Sequence, residues 1–583
     1  MLDVINKFSY AIAKETGLAN ELVFNTISLP KSQEQGDIAS TIAFKIAKEK
    51  GGNVYKIAQD LESIDLDKYN LSGFRLKAIN GFLNLYADNK NLLFSSYTFE
   101  RKKRHCIIEG PSVNPNKPWH IGHLRNALIC MAISNIMHYY GYDVIRMDYI
   151  NDLGLQVAQS YWYYKKFGKT QNTGKFDFDI GLDYIKANEL AEKEENIKEI
   201  AELMKNIEAG KEQGFKEFIR NVVNAQRETA REYGVRHDFA IYESDVIKLF
   251  DDGIRKIKAL KNVEMPEQGE YKDCVVIKIN DANQNDNQYK VIVRSNGIPT
   301  YLGKDIIFHM FKAGHLCCIL FKSHNGIYES SDEGLNFYNV KDPIIINVIG
   351  QEQQPHQNVL KKALVEMGII NENDFFHVSY GHVRKKEERF SGRKGTWIGF
   401  TADDLLNEGI ARIERGDKKK IALAAIKYSM LRMANNSIVV FDWDKALKLD
   451  GASGVYLLYA YARANSILNK VKSDIADYNA EYKEMEKKQL SLNVVLNEDE
   501  RAVARLIWQF PYYVQKSANT FEPNVIADYA FELANAFNTF YEKYKIISED
   551  KEQAHKRLFL TKRFLAVIKT CLELLNIDTL EII

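Results

Sequence analysis

Cysteine pairs and long apolar runs are both missing from this sequence. The 583 residues include six cysteines, and no two of them are spaced as a CxxC pair. This usage argues against a zinc ribbon or a disulfide framework and favours a reducing compartment. No apolar run approaches the roughly 18 residues of a transmembrane helix. The N-terminal segment has acidic residues and helical spacing, unlike a signal or transit peptide. We therefore expect a cytoplasmic protein that has no membrane partner.

An excess of charge of either sign is also missing. The chain has 79 basic and 78 acidic side chains, for a formal net charge of +1. A balance of this kind does not by itself predict a nucleic-acid partner, so any RNA binding would use local basic patches. The length exceeds what one hydrophobic core supports and predicts three or four domains.

Three common catalytic signatures are absent. The sequence has no GxxxxGK[ST] string, no histidine followed by glutamate and no GxSxG string. These absences exclude P-loop enzymes, zincins and α/β-hydrolases.

Hydrophobic periodicity predicts a parallel α/β sheet in the first half of the chain. An apolar strand at His105–Glu109 precedes a helix from about Ile121 to Tyr140 and a strand at Tyr142–Ile150. Strand, helix and strand in so few residues predict a βαβ unit. Sheet-like segments return at Cys274–Ile279, Tyr289–Arg294 and Pro343–Ile349.

Different patterns flank this predicted sheet. Residues 1–90 predict a small α+β unit, with a first helix, a second amphipathic helix at 38–50 and a strand pair around 81–87. After about 418 the patterns are helical, at 420–434, 454–472, 500–518, 523–545 and 554–575, with a polar connection at 473–499.

The string Pro118–Arg125, which reads PWHIGHLR, lies where the first strand leads into its helix. In a parallel sheet this is the phosphate-binding position, because backbone N–H groups and the positive helix end face the strand ends. His120 and His123 share one side of the first turn and can offer two imidazole donors to a phosphoryl transition state. Gly122 lets a planar base approach the backbone. The alternative is that the two histidines only cap the helix.

This string resembles the HIGH signature of class I aminoacyl-tRNA synthetases. The counterpart of the family's Lys-Met-Ser-Lys-Ser loop is Arg389-Phe390-Ser391-Gly392-Arg393, which departs from the pattern in having arginine at both lysine positions. The alternative for that string is a solvated basic loop. The resemblance implies ATP as cosubstrate, with Mg²⁺ on its phosphates, and no dedicated protein metal site. It also implies ATP binding by His120, Gly122, His123, Ser391 and Arg393. The catalytic residues that it implies are His120, His123, Lys117, Arg393 and Lys394.

Strings spread over most of the chain are similar to arginyl-tRNA synthetases in particular. They include Leu29-Pro30-Lys31 with Gly36–Ala39, Asp152–Gln156, Thr300-Tyr301 with Lys304–Ile306, Gly350 with Gln353 and His356, and Gly234-Val235 with Glu243-Ser244. The resemblance implies an α+β N-terminal domain at 1–95 that contacts tRNA. It implies a Rossmann-like catalytic domain at 104–415, with a helical insertion at about 160–233. It implies an all-α anticodon-binding domain at 417–583.

A pocket for arginine needs carboxylates, because a guanidinium is planar, permanently charged and offers five donors. By resemblance, Glu109, Tyr301 and Asp305 hold the guanidinium. Asn114 and Gln353 hold the α-amino and carboxylate end, and Ser112 joins them as an arginine-binding residue. An ordinary helix acid at Asp305 and core packing of Tyr301 are the alternatives.

The tRNA contacts implied by the resemblance are aromatic or polar side chains in the two flanking domains. Tyr456 and Tyr459 at helical spacing would stack on unstacked anticodon bases. Phe82 and Asn84 are the equivalent candidates in the N-terminal domain. A core position is the alternative for these residues.

The function that follows from the resemblance is arginine–tRNA ligation. Arginine would be activated with ATP to arginyl-adenylate and transferred to the 3′-terminal adenosine of arginine tRNA by a monomer without zinc. Another class I synthetase, for cysteine or glutamate, is disfavoured because no Cys/His cluster is present and the pocket candidates are acidic. A catalytically silent synthetase-like protein that binds tRNA is supported only by the altered loop at 389–393.

Overall fold

The computed structural model describes residues 1–279, 288–317, 319–386, 397–474 and 494–581. Its N-terminal part is a four-stranded antiparallel sheet, in the order β1-β2-β4-β3, covered by helices. The elements are α1 (Leu2–Thr16), α2 (Asn20–Phe24), β1 (Ile27–Ser28), β2 (Ile38–Ser40), α3 (Ile42–Lys50), α4 (Val54–Glu62), β3 (Phe74–Ile79), β4 (Phe82–Ala87) and α5 (Asn89–Phe94).

The helix expected at 38–50 is shorter than the sequence pattern indicates. Ile38–Ser40 forms strand β2 against β4, and the helix begins at Ile42. The backbone N–H of Ile42 donates to the Ser40 hydroxyl at 3.2 Å. Short hydroxyl side chains bind nearby backbone groups and so favour helix starts over helix interiors.

The middle of the chain carries two sheets. Its strands are β5 (His105–Glu109), β6 (Asp143–Ile150), β7 (Phe239–Tyr242), β8 (Val263–Glu264), β9 (Val275–Ile279), β10 (Gln288–Val293), β11 (Leu320–His324), β12 (Ile327–Ser331), β13 (Ile344–Gly350) and β14 (Phe375–Tyr380). Seven of them form one sheet in the order β11-β12-β7-β6-β5-β13-β14, parallel except for β11 at the edge. The sheet-like segments expected at 274–279 and 289–294 pair instead with each other, as β9 and β10, and β9 also pairs with β8 in this separate antiparallel sheet.

Helices cover this sheet and connect its strands. They are α6 (Ile121–Tyr139), α7 (Leu155–Phe167), α8 (Phe176–Ala191), α9 (Glu194–Glu208), α10 (Phe215–Glu232), α11 (Glu243–Val246), α12 (Phe250–Lys258), α13 (Tyr301–Lys312), α14 (Gln354–Glu366) and α15 (Ala402–Arg412). Helices α7 to α10, which include the helical stretch expected at about 160–233, form the crossover from β6 to β7.

The order of strands reverses at β5. The chain moves from β5 to β6 and β7 on one side and later places β13 and β14 on the other. Glu109, the last residue of β5, lies in register with Asn347 of β13. In sheets of this kind ligands bind in the crevice at the carboxyl ends of the strands where the order reverses.

The C-terminal part is helical. Its elements are β15 (Val383–Lys385), α16 (Lys418–Leu431), β16 (Val439–Phe441), α17 (Trp443–Ala446), α18 (Gly454–Asp474), α19 (Glu498–Thr520), α20 (Asn524–Lys543) and α21 (Lys551–Leu574). The five long helices start and end close to the predicted patterns. Most of the polar connection expected at 473–499 lies outside the described residues. No helix among the described residues is long and apolar enough to cross a membrane.

Buried charges join the three parts. Asp37 of the N-terminal part is 1% exposed and pairs with Arg501 at 2.7 Å and Arg505 at 3.1 Å on α19. On α6, the wholly buried guanidinium of Arg125 donates to the carbonyls of Gly381, Ser437 and Ala434 at 2.7, 2.6 and 3.1 Å. These carbonyls lie before β15 and between α16 and β16, so α6 is fixed directly to the start of the helical part.

Candidate active site

His120 and His123 begin helix α6 with a reciprocal cap. The Nδ1 atom of His120 accepts hydrogen bonds from the backbone N–H groups of Gly122 at 3.1 Å and His123 at 3.2 Å. The Nδ1 atom of His123 accepts from the backbone of His120 at 3.4 Å, and the two rings stack with centroids 3.5 Å apart. The two histidines therefore do cap the helix, and because they cap it through Nδ1, capping does not exclude a catalytic role for the same rings.

The cap fixes the protonation of both rings. An Nδ1 that accepts a hydrogen bond leaves the proton of a neutral imidazole on Nε2. Burial lowers the pKa of His120 to about 3, and burial also lowers the pKa of His123. Both rings are thus neutral near pH 7 and carry an Nε2–H donor.

The shape of the helix cap requires glycine at position 122, and the sequence did not reveal this requirement. A Cβ on this residue would lie 2.9 Å from Cε1 and 3.0 Å from Nδ1 of the His120 ring. The glycine therefore makes room for the capping imidazole, which is a role separate from any approach of a base.

Lys117 lies close to the two histidines. Its charge is among the causes that lower the pKa of both His120 and His123. Burial lowers the pKa of Lys117 itself. No ion pair or hydrogen bond of its ammonium group is found among the described residues. A half-buried cation without an acidic partner beside two N–H donors is suited to an anion.

The segment after the predicted signature loop contacts the same histidine turn. The N–H of Ile121 donates to the Phe400 carbonyl at 3.0 Å, and the N–H of Ala402 donates to the Trp119 carbonyl at 2.8 Å. Before the loop, Lys385 donates to the Gly399 carbonyl at 3.0 Å. The loop residues themselves, including Ser391, Arg393 and Lys394, lie outside the described residues.

A cleft of about 620 Å³ opens at the reversal point of the sheet. Of the predicted arginine-binding residues it is lined by Glu109, Ser112, Tyr301, Asp305 and Gln353, and His123 borders it as well. The Ser112 hydroxyl is buried and has no hydrogen-bond partner within the described part of the chain.

Asn114 is the exception among the predicted arginine ligands. It does not line the cleft, and its amide donates to the Gln156 side chain at 3.5 Å.

Acidic side chains gather at the far end of the cleft. Asp305 accepts a hydrogen bond from Nε2 of His356 at 2.6 Å, with 37% and 32% of the two side chains exposed. Glu243 lies near Asp305, and burial, together with that neighbouring charge, raises its pKa, while Lys304 lies 3.5 Å away. Tyr301 is 80% exposed at the rim, so the core alternative for this residue is wrong.

Glu109 has a cationic partner that the sequence did not reveal. The wholly buried ammonium of Lys312 donates to the Glu109 carboxylate and, at 3.0 Å, to the Asn347 side chain. Glu109 also lines the cleft, so its predicted contact with the guanidinium stays a prediction, and Lys312 is an additional partner for the same carboxylate.

Helix α13 supplies most of this end of the cleft. Tyr301, Asp305, His309 and Lys312 recur at helical spacing and share one face. His309 bonds to the Asp305 carbonyl at 2.7 Å through Nδ1 and to Asn347 at 2.9 Å through Nε2. The spacing of these polar residues was a signal from which His309 and Lys312 could have been found. His356 and Glu243 were noticed only as parts of matching strings.

The predicted tRNA contacts divide into accessible and inaccessible residues. Phe82 is 39% exposed and packs against Phe44 with ring centroids 5.2 Å apart. Asn84 is 2% exposed on β4, and its predicted contact with tRNA stays a prediction that this burial does not favour.

The same division holds in the C-terminal helices. Tyr459 is 39% exposed, and the Arg463 guanidinium lies over its ring at 4.7 Å and over the ring of Tyr541 at 4.6 Å. Tyr456 is 9% exposed and packs against Phe531, which favours the core alternative for this residue, while its contact with the anticodon stays a prediction.

Comparison with known proteins identifies the family. The arginyl tRNA synthetase N-terminal domain matches residues 3–87, the catalytic domain of class I tRNA synthetases (R) matches 89–316, and the DALR anticodon binding domain matches 457–583. An arginine–tRNA ligase of Pyrococcus abyssi is 34% identical over 597 residues, which span 94% of each chain. The chain belongs to the arginyl-tRNA synthetase family.

Solved and more distant relatives agree with this membership. The arginyl-tRNA synthetase of Thermus thermophilus superposes with a TM-score of 0.84 at 26% identity and covers 99% of both chains. An arginine–tRNA ligase of Borrelia duttonii is 28% identical over 99% of this chain and 98% of its own. The predicted fold class and family are thus confirmed, and the enzyme charges tRNA with arginine at the expense of ATP.

Proposed function

We propose that the cleft at the ends of β5 and β13 is where arginine meets ATP, with the phosphates at the histidine turn and the guanidinium at Asp305. One observation carries this proposal. Two neutral imidazoles and Lys117 stand near one end of a single cleft, and carboxylates stand at the other. A substrate with a carboxylate at one end and a guanidinium at the other fits this polarity.

At the phosphate end, the protein supplies donors and no nucleophile. The arginine carboxylate attacks the α-phosphate, pyrophosphate leaves, and charge builds on the phosphoryl oxygens. The Nε2–H groups of His120 and His123 donate to those oxygens, and Lys117 adds a cation. The helix start contributes its own positive end.

Magnesium fits this end as an ion carried by ATP. The described residues hold no group of three or more His, Cys, Asp or Glu side chains that could bind a metal. An ion bound to the phosphates would withdraw charge from them. Ser391, Arg393 and Lys394 stay predictions for the same phosphates.

At the guanidinium end, we assign Asp305 and Glu109 as the ligands, with Tyr301 closing the rim, because all three line the cleft. A guanidinium takes two carboxylates in a planar arrangement. Ser112 and Gln353 line the cleft between the two ends and suit the α-amino and carboxylate groups. Lys312 pairs with Glu109 and holds its carboxylate in place, and Asn114 stays a prediction.

The transfer step uses the same cleft. A ribose hydroxyl of the terminal adenosine attacks the adenylate carbonyl and AMP leaves, and the enzyme contributes by holding both reactants in position. For the rest of the tRNA we propose the exposed cluster Tyr459, Arg463 and Tyr541, because aromatic rings and arginine stack on unpaired bases. Phe82 is the equivalent candidate in the N-terminal part.

We also propose three properties of the whole protein that the sequence predicts. They are the domain bounds 1–95, 104–415 and 417–583, a monomeric state and a cytoplasmic location. Sedimentation analysis of the full chain would test the monomer.

The decisive experiment is ATP–pyrophosphate exchange with arginine, in the presence and absence of tRNA. We expect exchange with arginine and none with cysteine or glutamate. The family resemblance implies that exchange depends on tRNA. Absence of exchange under both conditions, from a folded protein that binds tRNA, would establish the silent alternative.

A further inference from the structure

His356 is hydrogen-bonded to Asp305, the carboxylate that we propose binds the guanidinium of arginine. Its Nε2 atom lies 2.6 Å from Oδ2 of Asp305, and both side chains line the cleft. About a third of each side chain is exposed, and the exposed part faces the space that a guanidinium would enter.

We propose that His356 is the counter-ion of Asp305 in the arginine-free enzyme and that arginine binding displaces it with release of one proton to solvent. This inference rests on the proposed role of Asp305. An imidazolium paired with Asp305 gives up that carboxylate to the incoming guanidinium. The ring then loses the charge partner that kept it protonated.

Electrostatics supports the exchange. The hydrogen bond to Asp305 raises the pKa of His356, and burial acts in the opposite direction with less effect. A guanidinium on Asp305 would remove the favourable partner and add a like charge, and both changes lower the pKa of a histidine. The ring therefore holds its proton only while the pocket is empty.

The second histidine of the cleft, His309, does not titrate in the same way. Burial lowers the pKa of His309, the histidine one turn along α13 from Asp305, well below its ordinary value, so this ring stays neutral. The remaining groups that face the pair are Glu243 with Lys304, Glu109 with Lys312, Glu352 and Tyr149. Burial raises the pKa of Glu243, so protonation of Glu243 could imitate the effect, and a variant of this residue is therefore needed as a control.

The sign of the pH dependence follows from the exchange. Below the raised pKa of His356, protons compete with arginine, and arginine affinity falls about tenfold for each pH unit. Above that pKa the ring is neutral, no proton is released, and affinity becomes independent of pH.

Calorimetric titration of the full-length enzyme with L-arginine tests this directly. Measurements from about pH 5.5 to about pH 8.5, each in two buffers of different ionisation enthalpy, give affinity and released protons together. We expect the release to approach one proton per arginine at the acid end and to vanish at the alkaline end. Release near zero throughout would overturn the inference.

Two variants separate this inference from the function on which it rests. In His356→Gln the affinity slope and the proton release should both disappear. A slope that survives there, but not in Glu243→Gln, would assign the proton to Glu243 and overturn the role of His356. In Asp305→Asn arginine binding itself should be lost, and intact binding in that variant would instead overturn the proposed guanidinium site.

Discussion

The two ends of the proposed active cleft differ in whether their charged side chains already have partners. At the histidine turn the cation Lys117 has no acidic partner among the described residues, and the neighbouring imidazoles are neutral. At the other end three carboxylates have cationic or histidine partners, because Glu109 has Lys312, Glu243 has Lys304 and Asp305 has His356. By the proposed function, the end at the histidine turn receives an anion without losing a partner, whereas Asp305 gives up His356 when it receives the guanidinium.

This difference determines how each end responds to mutation. A substitution that removes a hydrogen-bond donor at the histidine turn weakens stabilisation of the transition state but leaves no buried charge without a partner. A lost partner at the other end leaves a desolvated ion, which costs far more than the pair contributes. Four substitutions test the contrast.

The largest effect is expected for Asp305→Asn. The change keeps the shape of the side chain but leaves the arginine guanidinium only partly paired, at a cost of about 3–5 kcal/mol, or roughly 10²–10³-fold in kcat/KM for arginine. Steady-state aminoacylation with arginine varied at saturating ATP measures it. An effect under tenfold in a folded variant would remove Asp305 from the guanidinium site.

Lys312→Met tests the balanced pair beneath the cleft. It leaves Glu109 buried and unpaired, and we expect the free energy of unfolding to fall by about 3–4 kcal/mol. The double variant with Glu109→Gln removes both charges and should recover most of that loss. Urea titrations of the two single variants and the double variant give the coupling energy, and additive losses would show that the pair is not coupled.

His120→Asn separates capping from catalysis. Asparagine caps a helix well, so the free energy of unfolding of His120→Asn should stay within a few tenths of a kcal/mol of the parent. The free energy of unfolding of His120→Ala should fall by about 1 kcal/mol. Both variants lack the Nε2–H donor and should form adenylate about 10²-fold more slowly. Single-turnover rates with thermal melts distinguish these effects. A fully active asparagine variant would reduce His120 to a capping residue.

Lys117→Met carries the smallest expected loss, about 10²-fold or less in the rate of adenylate formation with little change in arginine affinity. We compare it with Arg393→Ala and with the double variant, because Lys117 is proposed to supply the compact cation that the altered signature loop lacks. Near-parental rates in Lys117→Met with an inactive Arg393→Ala would show that the loop works without this compensation.

The two ends also differ in how far the sequence predicted them. The histidine turn lies within one short string between β5 and α6, so local spacing and the strand before it were enough. Lys312 and Glu109 are about 200 residues apart in sequence, and their pairing depends on β13 inserting beside β5. The polar spacing on α13 could have drawn attention to Lys312, but it could not identify Glu109 as the partner until the packing of α13 against β5 was known.

The solvent exposure of individual side chains could not be predicted from the local sequence pattern either. Tyr456 and Tyr459 stand three apart on α18, yet one is packed against Phe531 and the other is open to solvent. The strand at Ile38–Ser40 was missed because its apolar residues continue directly into a helical pattern. In both cases the tertiary neighbours decide, and a window of sequence does not contain them.

The buried guanidinium of Arg125 has a consequence for where this enzyme can be divided. The sequence boundary between catalytic and helical parts falls near residue 416, but Arg125 takes two of its three acceptors from Ala434 and Ser437, beyond that boundary. A protein cut at this predicted boundary would leave the buried Arg125 guanidinium without two of its acceptors, on the helix that begins with His120 and His123. A graft of a foreign anticodon-reading module would succeed only with the junction beyond Phe441, so that the native segment through β16 travels with the catalytic half.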